Sequence, residues 1–503
     1  MLHSPSARHH STQPASLSRR GFLSAAGAVG VGAAALAGAT TAHADADLAP
    51  SGRRRLVTTP AELEAAFAGA EPGDVIMMKN GTWRDVGIEF RAKGSADRPI
   101  ILRAQTPGKV IISGTSYLKI VGDHLVVDGL TFRDGAAPLN HLHLIQFSDW
   151  DEAAEPGTVT QYSNHCRLTN VVVDRFNKEQ VLPAGKDVWV GLWGTHNRID
   201  HCAFLNKTSY ALLIIGWRPE GVPDHHRIDN NYFSDIPNNG YSAAAVVIRL
   251  GDGVNALEPA HSVIERNVFE NMEGIGRIVS LKCSNSTIRD NTFWRASGAI
   301  CSRSGSFNTV ERNFIFEGMD TNDGYYTGGM LMIGEGHVIR GNYVQGCTAR
   351  GKAALQLYAG DPNNGPGVGT YYPTKDVVVE NNTFVDNAKN IIVNMYYSEE
   401  KGWTIPVENI TYRENAIVGN DSPSPVIDEV EVPPIGDIIY EGNQFFGGNL
   451  EGLTDTPGIE ITDPGLVEQP DGTYEYLPHS QLRHNIATRP LTKADVGPEW
   501  GWR

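Results

Sequence analysis

Apolar and polar positions along this chain fall into many short blocks and almost no long ones. Val377-Val378-Val379, Ser262-Val263-Ile264-Glu265 and Leu125-Val126-Val127-Asp128-Gly129-Leu130-Thr131-Phe132 are rich in β-branched residues, and some alternate apolar with polar. Such runs predict strands. Many lead into one recurring phrase, an asparagine with an aromatic residue one or two positions on. It reads Ile264-Glu265-Arg266-Asn267-Val268-Phe269, Ile288-Arg289-Asp290-Asn291-Thr292-Phe293, Val310-Glu311-Arg312-Asn313-Phe314 and Ile339-Arg340-Gly341-Asn342-Tyr343. Later copies are Val379-Glu380-Asn381-Asn382-Thr383-Phe384 and Tyr440-Glu441-Gly442-Asn443-Gln444-Phe445; weaker early ones end at Cys202-Ala203-Phe204 and Asn231-Tyr232-Phe233.

The asparagines Asn231, Asn267, Asn291, Asn313, Asn342, Asn382, Asn415 and Asn443 are separated by 36, 24, 22, 29, 40, 33 and 28 residues. Spacing of this order marks a stacked repeat. No unit shows the helical periodicity that leucine-rich or helical repeats need. The prediction is an all-β fold, a right-handed parallel β-helix, with the shortest spacings giving one coil and the longer ones adding loops. The repeated asparagine falls at a bend, where a short amide bonds backbone groups and tolerates unusual dihedrals. Stacking makes a ladder of these residues and stacks the aromatics inside, since no coil buries its apolar face alone. Thr59-Pro60-Ala61-Glu62-Leu63-Glu64-Ala65-Ala66-Phe67 predicts a short capped helix that closes the first open end of the solenoid. Coils run from about Gly73 to about residue 446. A tail follows, with a turn at Asp463-Pro464-Gly465 and a final segment, Leu491 to Trp502, expected to pack along the solenoid or cap its far end.

The first 44 residues stand apart. Ser18-Arg19-Arg20-Gly21-Phe22-Leu23, an Ala/Gly/Val stretch and Ala42-His43-Ala44 read as a twin-arginine signal with its cleavage site. The expectation is an exported, secreted protein with one domain over residues 45–503, a monomer with no membrane attachment after cleavage. The net charge of −16 argues against nucleic acid as a partner, and the leader's three arginines make the remainder more acidic still. It leaves room for a local basic strip that meets an anionic sugar. Cys166, Cys202, Cys283, Cys301 and Cys347 form neither a disulfide framework nor a zinc motif, and Cys202 and Cys283 read as buried small hydrophobes. His201, His225, His226, His261 and His337 sit near strand–turn positions with no metal spacing and read mostly as structural. Asp320 to Asp323 and Glu399-Glu400-Lys401 read as solvated loops.

Counting back from the repeat locates chemistry. Lys282 lies nine residues before Asn291, and Arg303 lies ten before Asn313. Neighbouring coils then bring the two together, with a one-residue mismatch that a bend or bulge must absorb. Taken alone, each is more readily a solvated surface charge. As a pair they suit proton abstraction beside a carboxylate. Arginine neutralises a uronate carboxylate and the developing enediolate. Lysine takes the α-proton when neighbouring cations favour its neutral form. The glycosidic bond at C4 then breaks by β-elimination.

The chain resembles the polysaccharide lyase family of chondroitinase B and many alginate lyases. The resemblance covers nearly the whole mature chain. It starts at Lys79-Asn80-Gly81-Thr82-Trp83, Ala96 to Ile100 and Ala104 to Val110, and continues through Asn197 to Lys207. Ile248-Arg249-Leu250-Gly251 is similar to the family's Ile-Arg-hydrophobic-Gly segment, Ile278-Val279-Ser280-Leu281-Lys282 to its base-bearing strand, and Arg303-Ser304-Gly305 to its Arg-His-Gly segment. The resemblance implies Lys282 as the base and Arg303 as its partner. It also implies a calcium site on two glutamates just before the base strand, but here those positions are Ile275 and Arg277, and only Asn239 matches a remaining ligand. The expectation is no metal and no cofactor, with Ca2+ as the alternative, and with Arg277 supplying the ion's charge; a plain structural arginine is the competing reading. Ser304 replaces the family's histidine, and Val246-Val247 precede Ile248-Arg249 where the family has Glu-Thr, so the subsites are partly rebuilt. Candidate substrate contacts are Arg249, Arg277, Tyr325, Tyr326, Trp217 and Arg218, with Lys352 and Gln356 as further candidates. The favoured partner is an anionic polysaccharide of uronic acid, alginate before a dermatan or chondroitin type. The alternatives are a β-helix glycoside hydrolase, which needs a carboxylate pair, and a non-catalytic carbohydrate-binding protein. Asp252, the nearest acid after Arg249, has no evident partner for hydrolysis.

Overall fold

The structure is a computed structural model that describes residues 52–151, 158–178, 187–209, 214–216, 221–237, 246–251, 253–273, 277–316, 328–348, 352–363, 371–486 and 488–502. The leader lies outside these residues, and Pro50–Arg503 forms one compact unit. Among the described residues, short strands stack into three long sheets of 14, 13 and 14 strands. The first runs from Arg54–Val57 to Ile435–Glu441, the second from Gly87–Lys93 to Ile427–Glu429, and the third from Gly81–Arg84 to Ile459–Ile461. Successive strands of each sheet pair in parallel with the strand one coil on, as in Ile264↔Ile288 and Phe269↔Phe293, except Thr158–Tyr162, which pairs antiparallel with His143–Asp151. This is the parallel β-helix that the repeat predicts.

One side of every strand faces a continuous core. Phe204, Phe233, Phe269 and Phe293 stack inside it at 5.2, 4.8 and 4.7 Å, close to the strand spacing of about 4.8 Å. The asparagine ladder is complete. From Asn231 to Asn443 each side-chain amide donates to the next residue's Oδ1 at 2.9–3.0 Å. That oxygen also takes the backbone N–H of the residue before it, as in Asn267 N to Asn291 Oδ1 at 3.0 Å. The unusual dihedral is not on the asparagine. It belongs to the residue just before it: Asn230, Arg266, Asp290, Arg312, Asn381 and Glu414 have φ between 50° and 55°, and glycine serves before Asn342 and Asn443. The preceding residue makes the bend, and the buried amide is left to fill the column beneath it.

A second column was not visible as a repeat. His124, His165, His196, His225 and His261 stack at 4.7, 4.6, 4.6 and 5.3 Å at the bend leading into the first sheet, each with φ between 49° and 58°. His226 and His337 are buried and hydrogen-bonded to backbone, and His201 bonds Asp200 at 2.8 Å, so these three are structural. All five cysteines are buried and free.

The predicted helix, α1 (Pro60–Ala68), is capped by Thr59 and packs Leu63, Ala66 and Phe67 into the first coils, with Phe67 stacked on Phe90 at 4.9 Å. The last segment does not cap the far end. It returns along the third sheet as a strap: Tyr476 meets Thr383 at 2.7 Å, Leu491 meets Thr292 at 2.8 Å, and the Trp500 indole donates to the Asn170 carbonyl at 2.9 Å. Trp294, Trp500, Trp502 and Leu491 supply the apolar surface that holds it there.

Candidate active site

The second sheet turns alternate residues inward and outward. Val279 and Leu281 join the core, while Ser280 and Lys282 fall on the other face. One strand earlier Arg249 pairs with Ser280, and one strand later Cys301 does. The expected register correction is present. Leu281 pairs with Ser302, but Lys282 pairs with Ser304, so the strand bulges and Arg303 is the extra residue. A bulge re-aims a side chain at such a point. Here alternation from Cys301 already turns Arg303 to the face that carries Lys282, and the bulge leaves it there as the unpaired residue between Ser302 and Ser304. The coils close tightly where these strands end. Gly251 has φ 81° and a Cβ there would lie 2.2 Å from the Lys282 carbonyl; Gly305 has φ 107° and a Cβ would lie 2.3 Å from the Cys283 carbonyl. Neither position has room for a larger residue.

Three cations converge on the Cys301 thiol. Burial pushes that thiol up, and the positive charges of Arg277, Arg303 and Lys282 oppose the shift. Arg277 also acts on Tyr358, which places it on this face despite the odd spacing from Lys282. Arg303 is half-buried, its guanidinium 4.3 Å over the Tyr371 ring. Arg277 Nε and Arg303 Nη1 are fully enclosed with no hydrogen-bond partner among the described residues, and neither arginine has an ion pair there. The first sheet behaves in the opposite way. Its outer arginines are matched to carboxylates one coil away: Arg167 to Asp200 at 2.6 Å, Arg198 to Asp229 at 2.7 Å, Arg227 to Glu265 at 2.7 Å and Arg340 to Glu311 at 2.6 Å. Buried positive charge without a carboxylate is costly unless something else neutralises it. The second sheet therefore presents a strip suited to an anion that arrives from outside.

Three of the carboxylates on this sheet are already committed. Glu89 and Asp149 bind Arg91, each at 3.0 Å, and Asp428 binds Lys389 at 3.1 Å. The described residues near Lys282 do not fit a calcium ion. Hard cations want several oxygens, usually with carboxylates among them, and a partly buried guanidinium occupies one of the two positions where the resemblance places a carboxylate. Trp217, Arg218, Tyr325, Tyr326, Asn239, Asp252 and Ile275 lie outside the described residues. Arg249, Arg277, Lys282 and Arg303 are brought together. Sequence reasoning missed Tyr371, which carries Arg303 from a separate loop and belongs to no repeat.

A three-sheet parallel β-helix with a cationic strip along one outer face is the class of protein these features define. The chain belongs to the chondroitinase B family, whose match spans residues 57–418. No curated protein matches it in sequence. Among solved structures it is similar to the PL6 family alginate lyase AlyGC, with 30% identity and a TM-score of 0.77 over 89% of this chain and 58% of AlyGC. A mannuronic acid specific family 6 lyase from human gut microbiota shares 26% identity at TM-score 0.69, over 89% of this chain and 97% of that one. The PL6 polysaccharide lyase Pedsa3628 from Pseudopedobacter saltans shares 27% at 0.64, over 88% and 99%. The chain spans 58% of the length of AlyGC.

Proposed function

We propose that this protein is an exported lyase that cleaves a uronic-acid polymer, alginate first among the candidates, by β-elimination. The observation that carries the reading is the strand pairing that sets Arg303 beside Lys282 within a strip of cations. In this reading Lys282 removes the proton α to the uronate carboxylate. Arg303, held on Tyr371, neutralises that carboxylate and the enediolate charge as it grows. A double bond forms between C4 and C5, the C4–oxygen bond breaks, and the leaving oxygen takes up a proton. Arg277 adds the charge that the related calcium-binding sites draw from the ion, so the reaction needs no metal. Arg249, on the preceding strand, binds a neighbouring sugar. The twin-arginine segment supports delivery of the folded protein outside the cytoplasm, and it works there as a monomer.

The test is absorbance in the unsaturated-uronate band during incubation with alginate, polymannuronate, polyguluronate, dermatan and chondroitin, each with and without chelator. A rise on alginate or one of its two homopolymers, unaffected by chelator, is expected. Reducing ends released without that absorbance would instead mean hydrolysis, and a chelator-sensitive rise would remove Arg277 from its role.

A further inference from the structure

On the Arg303 side of the cation strip, two consecutive coils extend the Tyr371 ring into an aromatic box beyond the reacting pair. Tyr358 and Tyr371 form its buried floor, with ring centroids 5.8 Å apart. Asn394, near the end of the next strand, and Tyr396, just past it, are both in the left-handed region, with φ 61° and 63°. A hairpin then folds back. Ser398 and Trp403 exchange backbone hydrogen bonds at 3.0 Å, and the turn places Trp403 edge-on against Tyr371 at 4.7 Å and 6.1 Å from Tyr396. Tyr396 meets Tyr358 edge-on at 5.2 Å and is 39% exposed. Lys352 enters from the coil before. Its ammonium lies 4.2 Å over the Tyr396 ring and contacts the Tyr396 hydroxyl.

A bulky aromatic at positive φ is uncommon and strained. Such strain persists where the surroundings over-determine it, most often at binding sites. Here it buys no core, because Tyr396 is partly in solvent. What it achieves is the presentation of an aromatic face with a cation fixed on it. Lys352 has no carboxylate within ion-pair distance among the described residues. Glu399 and Glu400 stand exposed at the hairpin tip, and Lys401 beside them lies 5.3 Å over the Trp403 ring.

We propose that Lys352, Tyr396 and Trp403 form a second sugar subsite for a uronate residue, with Lys352 and Tyr396 two to three strands, about 10–14 Å, along the sheet from Arg303 and Trp403 reaching back to the Tyr371 ring. Lys352 takes the carboxylate, and the Tyr396 and Trp403 rings take the sugar's apolar face. This subsite rests on the lyase reading and deepens it: the hairpin limits how many sugars extend past the reacting centre on this side, and Lys352 makes that stretch selective for acidic sugars.

The experiment uses the full chain and defined mannuronate and guluronate oligomers, from dimer to hexamer. Binding is measured by calorimetry in a Lys282→Ala background that cannot turn the oligomer over, with and without Lys352→Ala and Tyr396→Ala; turnover is measured in parallel with Lys282 intact. A charge-assisted contact contributes about 1.5–3 kcal/mol, so hexamer affinity should fall about tenfold or more in Lys352→Ala. KM should rise by the same factor with kcat within about twofold, and Lys352→Arg should recover most of the loss. The shortest oligomer that is cleaved, which does not reach the hairpin, should bind equally to both forms. Unchanged hexamer affinity in Lys352→Ala overturns the subsite, as does an equal loss on the shortest oligomer. The lyase reading fails separately: it falls if wild type never raises the unsaturated-uronate absorbance, whatever the binding data say.

Discussion

Replacing Asn291 with alanine should cost about 3 kcal/mol, and the ladder shows why. The Asn291 Oδ1 accepts both the backbone N–H and the side-chain amide of Asn267 at 3.0 Å, and its own amide donates to the Ile264 carbonyl and to Asn313 Oδ1 at 3.0 Å. All of these groups are buried. Alanine leaves the Asn267 N–H without its partner and the Ile264 carbonyl short of one donor. The Asn267 amide keeps its bonds to the Ile228 and Glu265 carbonyls, so it adds little. Each buried orphan costs about 1–3 kcal/mol, and two of them with a small cavity give about 3 kcal/mol. The measurement is urea unfolding of wild type and Asn291→Ala, read by fluorescence and by circular dichroism. Asn267→Ala and the double variant complete a cycle, in which the two losses should sum to more than the double variant shows, because they share one bonded pair. A loss under about 1 kcal/mol for Asn291→Ala, or strict additivity, would refute the idea that the ladder works as a connected column.

Lys282→Ala and Arg303→Ala should each lower kcat by about 10³-fold; Arg303→Lys should recover little, since an ammonium does not reproduce the guanidinium stacked on Tyr371. Steady-state kinetics on the best substrate, with melting curves to verify the fold, check both. Arg277→Gln should remove most activity, and added Ca2+ should not restore it; restoration would mean that a metal site survives without the arginine. The histidine column gives a pH dependence. Burial first, then the neighbouring rings, lower the affinity of His124, His196 and His225 for protons, so below about pH 6.5 the unfolded chain takes up protons more readily than the folded one. Stability is then level above that pH and falls as the solution is acidified; His196→Phe, which keeps a ring in the stack, should flatten the slope of melting temperature against pH. Trp500→Ala should cost about 2 kcal/mol, less than a fully buried tryptophan, as read by the same urea titration.

The fold was legible because a β-helix repeats its own constraint. Each coil must bend at the same place and bury the same side, so an asparagine and an aromatic recur in the sequence wherever they recur in space. The same arithmetic placed Lys282 and Arg303 on adjacent coils, and it showed that a bulge had to lie between them. What stayed hidden was whatever the repeat does not govern. Tyr371 and Trp403 reach the cation strip from loops whose lengths differ from coil to coil. The histidine column escaped notice because its spacing follows the bends and not the strand phrase, and because later coils place other residues at that bend, such as Asn285 and Phe307. The asparagine phrase points to a left-handed residue one position too late for a related reason. Sequence repeats show which side chains recur, and the dihedral that makes the recurrence possible can belong to a neighbour of any type.

The returning strap changes how the molecule should come apart. In a solenoid each coil feels only the coils beside it, so unfolding can begin at either end and stop part-way. Trp500 reaches Asn170 across 330 residues of chain, and Leu491 and Tyr476 fasten intervening coils to the same ribbon. Coils from Asn170 to Thr383 are thereby joined in parallel as well as in series, and must melt as one cooperative block. Among the described residues the ribbon's fastenings reach as far as Glu414 and Val418, so the end beyond them should fray first, well before the block that carries Lys282 and Arg303 gives way.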